Sequence, residues 1–573
     1  MWVLPTLALR RLFSVLQNGL DFLAAMAVTI SVWICWFYSI SILSLPANLF
    51  MWAPLLVAMV FVIKGRLEMQ LKISVVAIGI GSLVVLPYLF GYMFSNLLPG
   101  CDTAMHGYIT RLIIEQNGFP STYQPLLPDR DFGAYATGFH FLAAMFAMYS
   151  SDFLLDGLSL ASMLAYLVCL LGLAFLLSVF TKPANAIICA AIAFWFHASL
   201  QSTITWGGSP TVLSLGLVFF TYGFIGHSFK LRSLRLMTVA AFSLSAAMLT
   251  HAIPAYTGVY FGGFLVLYWM WEYRPDVRFV LKSFGLVVWV MAMLLVPHIA
   301  PMLGQSSPEL STMISMWQHK MMGGVVSGDV YQDFIPLLGR LKTSLGDLIM
   351  ITASIALAVM FLFRMYRQAL FVLMASLVLF AIILNTGHWV LPFSELLYPE
   401  RAMYFYVVPF GLMLVFVFNQ LDLLREQGRF MQWWIAGALM VGIGLFNLHD
   451  RFLSRIWNAD SQMDAPMLEA MQWVEEHTEG DAVFHTDYYT EGMWIPALAY
   501  RSTIGTHLHF IHERDRVFEL MREANVDHYE FRVAGVLRSS KGVDTKANRS
   551  QVVFKNSRVE VVLTRYKSNG AGC

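Results

Sequence analysis

Residues 101–120 carry the types and spacing that could move a proton. The run opens Cys101-Asp102-Thr103-Ala104-Met105-His106, continues through Arg111 and Glu115, and ends Asn117-Gly118-Phe119-Pro120. Asp102 stands where a helix N-cap would, and Asn117-Gly118 before Pro120 is a stop signal. Asp102 and His106 are four apart, so a helix places both on one face, with Tyr108, Leu112 and Glu115 on others. The plainer reading is a capping aspartate and a histidine packed at headgroup level. A second cluster, Glu395-Leu396-Leu397-Tyr398-Pro399-Glu400-Arg401, precedes an apolar run. The planar guanidinium of Arg401 is suited to gripping a phosphate, with Glu400 beside it as a further contact. The alternative for Arg401 is a side chain that snorkels to headgroups. His251, in Thr250-His251-Ala252-Ile253-Pro254, sits at the end of an apolar run, facing either a cavity or the headgroups. His319, with Lys320 in a polar loop, is a candidate substrate contact, and His388 is a similar one. Trp206, in Trp206-Gly207-Gly208-Ser209-Pro210, reads as an interfacial aromatic anchor. Asp129-Arg130-Asp131 could offer oxygens to a divalent cation, but a solvated charged turn is the preferred reading. No metal is assigned.

These residues hang on elements that the composition declares to be membrane-embedded. Of 573 residues, 58% are hydrophobic and 13% charged, against about 25% charged in a soluble domain. Mean hydropathy is +0.63. The net charge of +1 implies no general attraction to nucleic acid. Cys35, Cys169 and Cys189 lie in apolar runs as small hydrophobes, and no CxxC pair exists. Apolar runs at 21–45, 47–63, 73–96, 158–180, 184–200, 209–226, 236–252, 255–271, 283–302, 346–363, 369–389, 402–420 and 432–448 give about thirteen spans. Basic residues favour the cytoplasmic side. The clusters Arg10/Arg11, Lys64/Arg66/Lys72, Lys182, Lys230/Arg232/Arg235, Arg274/Arg278/Lys282, Arg364/Arg367 and Arg425/Arg429 alternate consistently only if 137–150 does not cross. That stretch is therefore expected to be a half-length juxtamembrane helix. The N-terminus is then cytoplasmic, and the loops 97–157 and 303–345 are external, as is the tail 449–573. The first domain is the membrane bundle, 1–448. The second is a small soluble α/β domain, 449–573, with a helix at 464–477, strands at 482–486, 551–554 and 558–565, and a helix at 512–524.

The pattern as a whole resembles the GT-C superfamily of membrane glycosyltransferases. It comprises an aspartate soon after a span, a histidine four on, an arginine, Asn-Gly-Phe-Pro, and then Gly138-Phe139-His140 opening an apolar helix. That superfamily includes oligosaccharyltransferase catalytic subunits, protein mannosyltransferases and lipid A aminoarabinose transferases. The resemblance implies a mainly α, multi-span bundle with outer-face juxtamembrane helices and an external domain. It also implies an acidic catalytic residue in the first outer loop, here Asp102, with His106 as its partner. A late-span arginine, here Arg401, would then lie against the phosphate of a polyprenyl-phosphate sugar donor. His251, His140, Arg130 and His319 are the expected cavity contacts, and no cofactor is expected, a divalent cation being possible but not favoured. The acceptor is a lipid, glycan or protein at the outer face; the peptide-reading WWDYG motif of oligosaccharyltransferases is absent, which favours a lipid or glycan. The alternatives are a multi-span transporter and a non-catalytic assembly subunit. Transporters carry internal repeats and ionisable groups near mid-membrane, and neither is evident here.

Overall fold

A computed structural model gives the structure, which describes residues 6, 13, 16, 20–50, 52–54, 56, 102–125, 127–132, 135–149, 154–304, 334–385, 399–426, 463–486, 494–504, 527–533 and 549–565. The membrane bundle contains α1 (Leu20–Ile42), α2 (Thr103–Glu115), α3 (Gly138–Tyr149), α4 (Leu154–Leu177), α5 (Pro183–Phe196), α6 (Ala198–Trp206), α7 (Ser209–Leu231), α8 (Leu234–Thr250), α9 (Ala252–Tyr273) and α10 (Val277–Gly304). It continues with α11 (Phe334–Leu345), α12 (Asp347–Leu362), α13 (Tyr366–Asn385), α14 (Pro399–Met403) and, after a 3-10 turn, α15 (Val407–Glu426). Among the described residues, six helices are long and apolar enough to cross a membrane by length and composition, or seven if the pair bent by 93° at Gly346 is one span. The expected runs 73–96 and 432–448, and nine of the 17 residues of 47–63, lie outside the described residues. The half-length reading of 137–150 fits the 12-residue α3. The run 184–200 is not one helix. It breaks at His197 into α5 and α6, because His197 is extended and caps α6, its side chain accepting from Leu200 N–H.

The bundle is built around α7, whose residues are almost all buried. It crosses α4 where two glycines meet. A Cβ on Gly172 would lie 2.3 Å from the Gly216 carbonyl oxygen, so only bare backbone allows this approach. By contrast, α10 presents Val277, Leu281, Phe284, Val288 and Trp289 outward. Large apolar side chains at helical spacing on an exposed face require a lipid solvent, so the chain is an integral membrane protein.

Among the described residues, four of the basic connections gather at one end. Arg232 donates to the carbonyls of Tyr273 and Arg274, Arg367 pairs with Glu272, and Lys182 lies 3.9 Å from Asp422. Lys182, Arg232, Arg274 and Arg367 thus share one end of the bundle, while Arg10, Arg11, Lys64, Arg66, Lys72 and Arg429 lie outside the described residues.

The tail forms α16 (Ala465–His477) on a five-stranded sheet of order β4-β3-β5-β7-β6. The strands are β3 (Val483–Thr486), β4 (Ser502–Ile504), β5 (His528–Val533), β6 (Arg549–Lys555) and β7 (Val559–Arg565). Asp464 caps α16 by accepting from Met467 N–H at 3.0 Å. β3 pairs in parallel with β4 and β5, and β7 pairs antiparallel with β5 and β6. The expected helix at 512–524 lies outside the described residues. Two further strands, β1 (Thr122–Tyr123) and β2 (Leu127–Asp131), pair in the first large loop. Asp129, Arg130 and Asp131 therefore belong to a strand, correcting the expected charged turn: pairing with Thr122–Tyr123 takes up the backbone.

Candidate functional site

Five elements converge at the end of the bundle opposite the basic connections. They are the start of α2, the start of α3, the α8–α9 junction, the turn after α6, and α14. Asp102 occupies the N-cap position of α2, yet its side chain makes no capping hydrogen bond. The capping reading is thereby corrected. Its backbone N–H instead donates to the Trp206 carbonyl at 3.1 Å. Gly207 makes that contact possible: it is left-handed (φ +87°), and a Cβ there would lie 2.6 Å from Thr103 Oγ1 and 2.8 Å from Thr103 N.

Arg401 closes the arrangement. Its guanidinium carbon lies 4.5 Å from the centre of the Trp206 ring and 5.7 Å from that of Tyr404, and it donates to the Tyr404 hydroxyl at 2.9 Å. Trp206 thus holds Asp102 through its carbonyl and Arg401 through its ring. The segment after Arg401 is anchored by His197. Since Nδ1 accepts from Leu200 N–H, Nε2 carries the proton and donates to the Met403 carbonyl at 3.1 Å.

The histidines form a second layer. His106 Nδ1 and His140 Nε2 are 3.0 Å apart, and the two rings share one hydrogen bond. His251 joins α8 to α9 next to Thr250, whose hydroxyl would lie 2.8 Å from a Cβ on Gly138 at the start of α3, so His251 borders the same cluster. Among the described residues, Nδ1 of His140 and of His251 are buried without a hydrogen-bond partner. Burial, followed by the neighbouring His106 and His251 rings, holds His140 well below the ordinary imidazole range, so it is neutral at pH 7. Tyr135, T-shaped against His140 at 5.5 Å, is pushed up by burial and then by the Asp102 charge; its phenol stays protonated as a donor. The loop before α3 is fixed by Tyr38, whose hydroxyl accepts from Thr137 N–H at 2.5 Å and donates to the Leu249 carbonyl at 2.8 Å.

The structure therefore brings together Asp102, His106, His140, His251 and Arg401. Glu400 and Arg130 are described in backbone only, on α14 and β2, and His319 and His388 lie outside the described residues. Sequence reasoning missed Tyr135 and the bridging role of Trp206. A tryptophan followed by two glycines was the available signal, since glycine marks close backbone approach.

No protein-family model matches the sequence, and no curated protein is significantly similar to it. Solved structures are similar. ArnT from Cupriavidus metallidurans bound to undecaprenyl phosphate superposes with a TM-score of 0.54 at 12% identity, covering 85% of this chain and 97% of its own. Its apo state gives 0.52, over 85% and 98%. The archaeal oligosaccharyltransferase AglB from Archaeoglobus fulgidus, in complex with an inhibitory peptide and a dolichol-phosphate, gives 0.49 at 12% identity over 80% and 69%. The fold is shared with ArnT.

Proposed function

We propose that this protein is a membrane glycosyltransferase that moves a sugar from a polyprenyl-phosphate donor to an acceptor hydroxyl at the membrane face bearing Asp102. One observation carries the reading: Trp206 holds a candidate base and a candidate phosphate anchor at once, Asp102 by a 3.1 Å backbone hydrogen bond and Arg401 by a 4.5 Å cation–π contact. The shared fold with ArnT, whose structure holds undecaprenyl phosphate, supports the donor class. In the proposed step Asp102 takes the proton as the acceptor oxygen bonds to the anomeric carbon. The bond from that carbon to the phosphate oxygen breaks, and its electron pair leaves on the lipid phosphate, where Arg401 stabilises the charge. His106 and His140 hold the start of α2 against α3, and Tyr135 packs edge-on against His140. The expected external orientation of this face belongs to the same proposal, as does a lipid or glycan acceptor.

The test uses two variants of the full chain and undecaprenyl phosphate as the binding probe. Asp102→Asn should retain probe binding and lose transfer by about 10²–10⁴-fold. Arg401→Ala removes a charge-assisted contact worth roughly 1.5–3 kcal/mol and should weaken probe binding by about one to two orders of magnitude. Near-normal transfer by Asp102→Asn would sink the reading.

A further inference from the structure

The end of the bundle opposite Asp102 carries a second built feature. A cleft of about 730 Å³ opens between the last turn of α9 and the first turn of α13, lined by Trp271, Glu272, Arg274, Tyr366, Arg367 and Leu370. The 22 residues of α9 separate it from His251 by about 30 Å along the helix, so it is no part of the site described above. Arg367 lies 4.3 Å from the Trp271 ring centre and pairs with Glu272 at 2.5 Å. Arg274 is left-handed and ends α9. The carbonyls there are already capped by Arg232, which donates to those of Tyr273 and Arg274. The Arg274 guanidinium has no hydrogen-bond or ion-pair partner among the described residues. With Arg232, Arg364 and Arg278 nearby in sequence or contact, arginines outnumber the two carboxylates of this region, Glu272 and Asp276. Below the cleft, Leu267, Trp271, Tyr366 and Leu370 are all more than half exposed.

We propose that this cleft binds the headgroup of an anionic phospholipid. The phosphate meets Arg274 and the free donors of Arg367, Trp271 and Tyr366 lie at the depth of the ester groups, and the acyl chains run along Leu267 and Leu370. Three features select this occupant over others. The flanking side chains are exposed and apolar, which a free phosphate would leave uncovered. The aromatic pair is of the kind that lodges at the bilayer interface. The excess of arginine favours an anionic headgroup over a zwitterionic one. Glu272 limits the affinity by holding one arm of Arg367, which makes the site's charge balance testable in both directions.

The experiment reconstitutes the full chain in nanodiscs of equal phosphatidylcholine and phosphatidylglycerol and extracts it in mild detergent. Retained lipids are then counted by native mass spectrometry. Wild type should retain phosphatidylglycerol over phosphatidylcholine by about tenfold or more, and Arg274→Gln/Arg367→Gln should lose most of that preference. Arg340→Gln, on exposed α11, should keep it. Glu272→Gln should raise it, and that direction still decides if the double variant fails to fold. Equal retention of the two lipids by wild type overturns the proposal, and so does an unchanged preference in the double variant or a fall in Glu272→Gln. Displacement of the retained lipid by millimolar inorganic phosphate alone would make this a free-phosphate site and likewise overturn it.

Discussion

Trp206 joins two groups that the sequence holds far apart, and the contribution of its ring can be measured. A cation–π contact of this kind is worth about 0.5–2 kcal/mol, more as it is desolvated. Trp206→Ala should therefore weaken undecaprenyl phosphate binding by roughly 3- to 30-fold, whereas Trp206→Phe should recover part of the loss. Equal binding by all three proteins would make the ring an interfacial anchor, as its sequence context suggested. His140 offers a second measurement. Its folded-state pKa is lowered by burial and then by His106 and His251, so the unfolded chain binds its proton more readily. The associated stability is full above about pH 6.5, the ordinary imidazole value, and is lost as pH falls below it. The thermal midpoint in detergent should drop between about pH 7.5 and pH 5.5, and by less in His140→Gln. An equal drop in that variant would assign the effect to other groups. That Asp102, His106 and Arg401 lie at one end of the bundle was legible, because each stands at the edge of an apolar run. The bridge by Trp206 was not, because it depends on a carbonyl and a ring pointing in different directions.

The elements were legible where one physical rule dominates. The run 21–45 became Leu20–Ile42 and the run 369–389 became Tyr366–Asn385, because length and apolarity alone specify a span. The stop signal was legible at the end of α2. There Asn117, not Gly118, takes the left-handed position, with Gly118 N–H returning to the Ile113 carbonyl at 3.2 Å. Strands β4 and β5 went unseen. β4 has three residues, and β5 lacks a strict alternation and carries Glu530 and Arg532, which pair with one another, Arg532 also reaching Glu560 on β7. A charged pair satisfied across a sheet looks, in one dimension, like a loop. The turn between α6 and α7 yields the prediction at this scale. Gly207→Ala must place a Cβ 2.6 Å from Thr103 Oγ1 in a left-handed residue, which costs about 1–2 kcal/mol in backbone strain before any clash. The turn should shift away from α2, breaking the Asp102–Trp206 hydrogen bond. Transfer should fall with little loss of span packing, read as activity against helical content. Unaltered transfer would mean the bridge is dispensable.

At the scale of the whole molecule, the C-terminal sheet domain is fastened to the very helix that carries Asp102. Trp494 is fully buried, and with Ala497 it closes on α2 at Gly107, where a Cβ would lie 3.3 Å from the Trp494 ring and 3.4 Å from Ala497 Cβ. Gly107 follows His106 directly, so the domain presses on α2 one residue from the histidine pair. Polar contacts surround this plug: Arg111 pairs with Glu475 at 3.3 Å, its guanidinium lies 5.7 Å from the Tyr500 ring, and Tyr500 donates to the Gln124 carbonyl at 3.4 Å. The magnitudes rank the two kinds of contact. A part-exposed ion pair contributes about 0–1 kcal/mol, while truncating a buried tryptophan costs about 3–5 kcal/mol. Trp494→Ala should therefore loosen the domain, seen as faster limited proteolysis beyond residue 463, and should reduce transfer although Trp494 lies outside the candidate site. Arg111→Ala should change either measure little. Gly107→Leu, which fills the same gap from the α2 side, should behave like Trp494→Ala. If Trp494→Ala accelerates proteolysis yet leaves transfer at the wild-type rate, the domain is attached to α2 without positioning it.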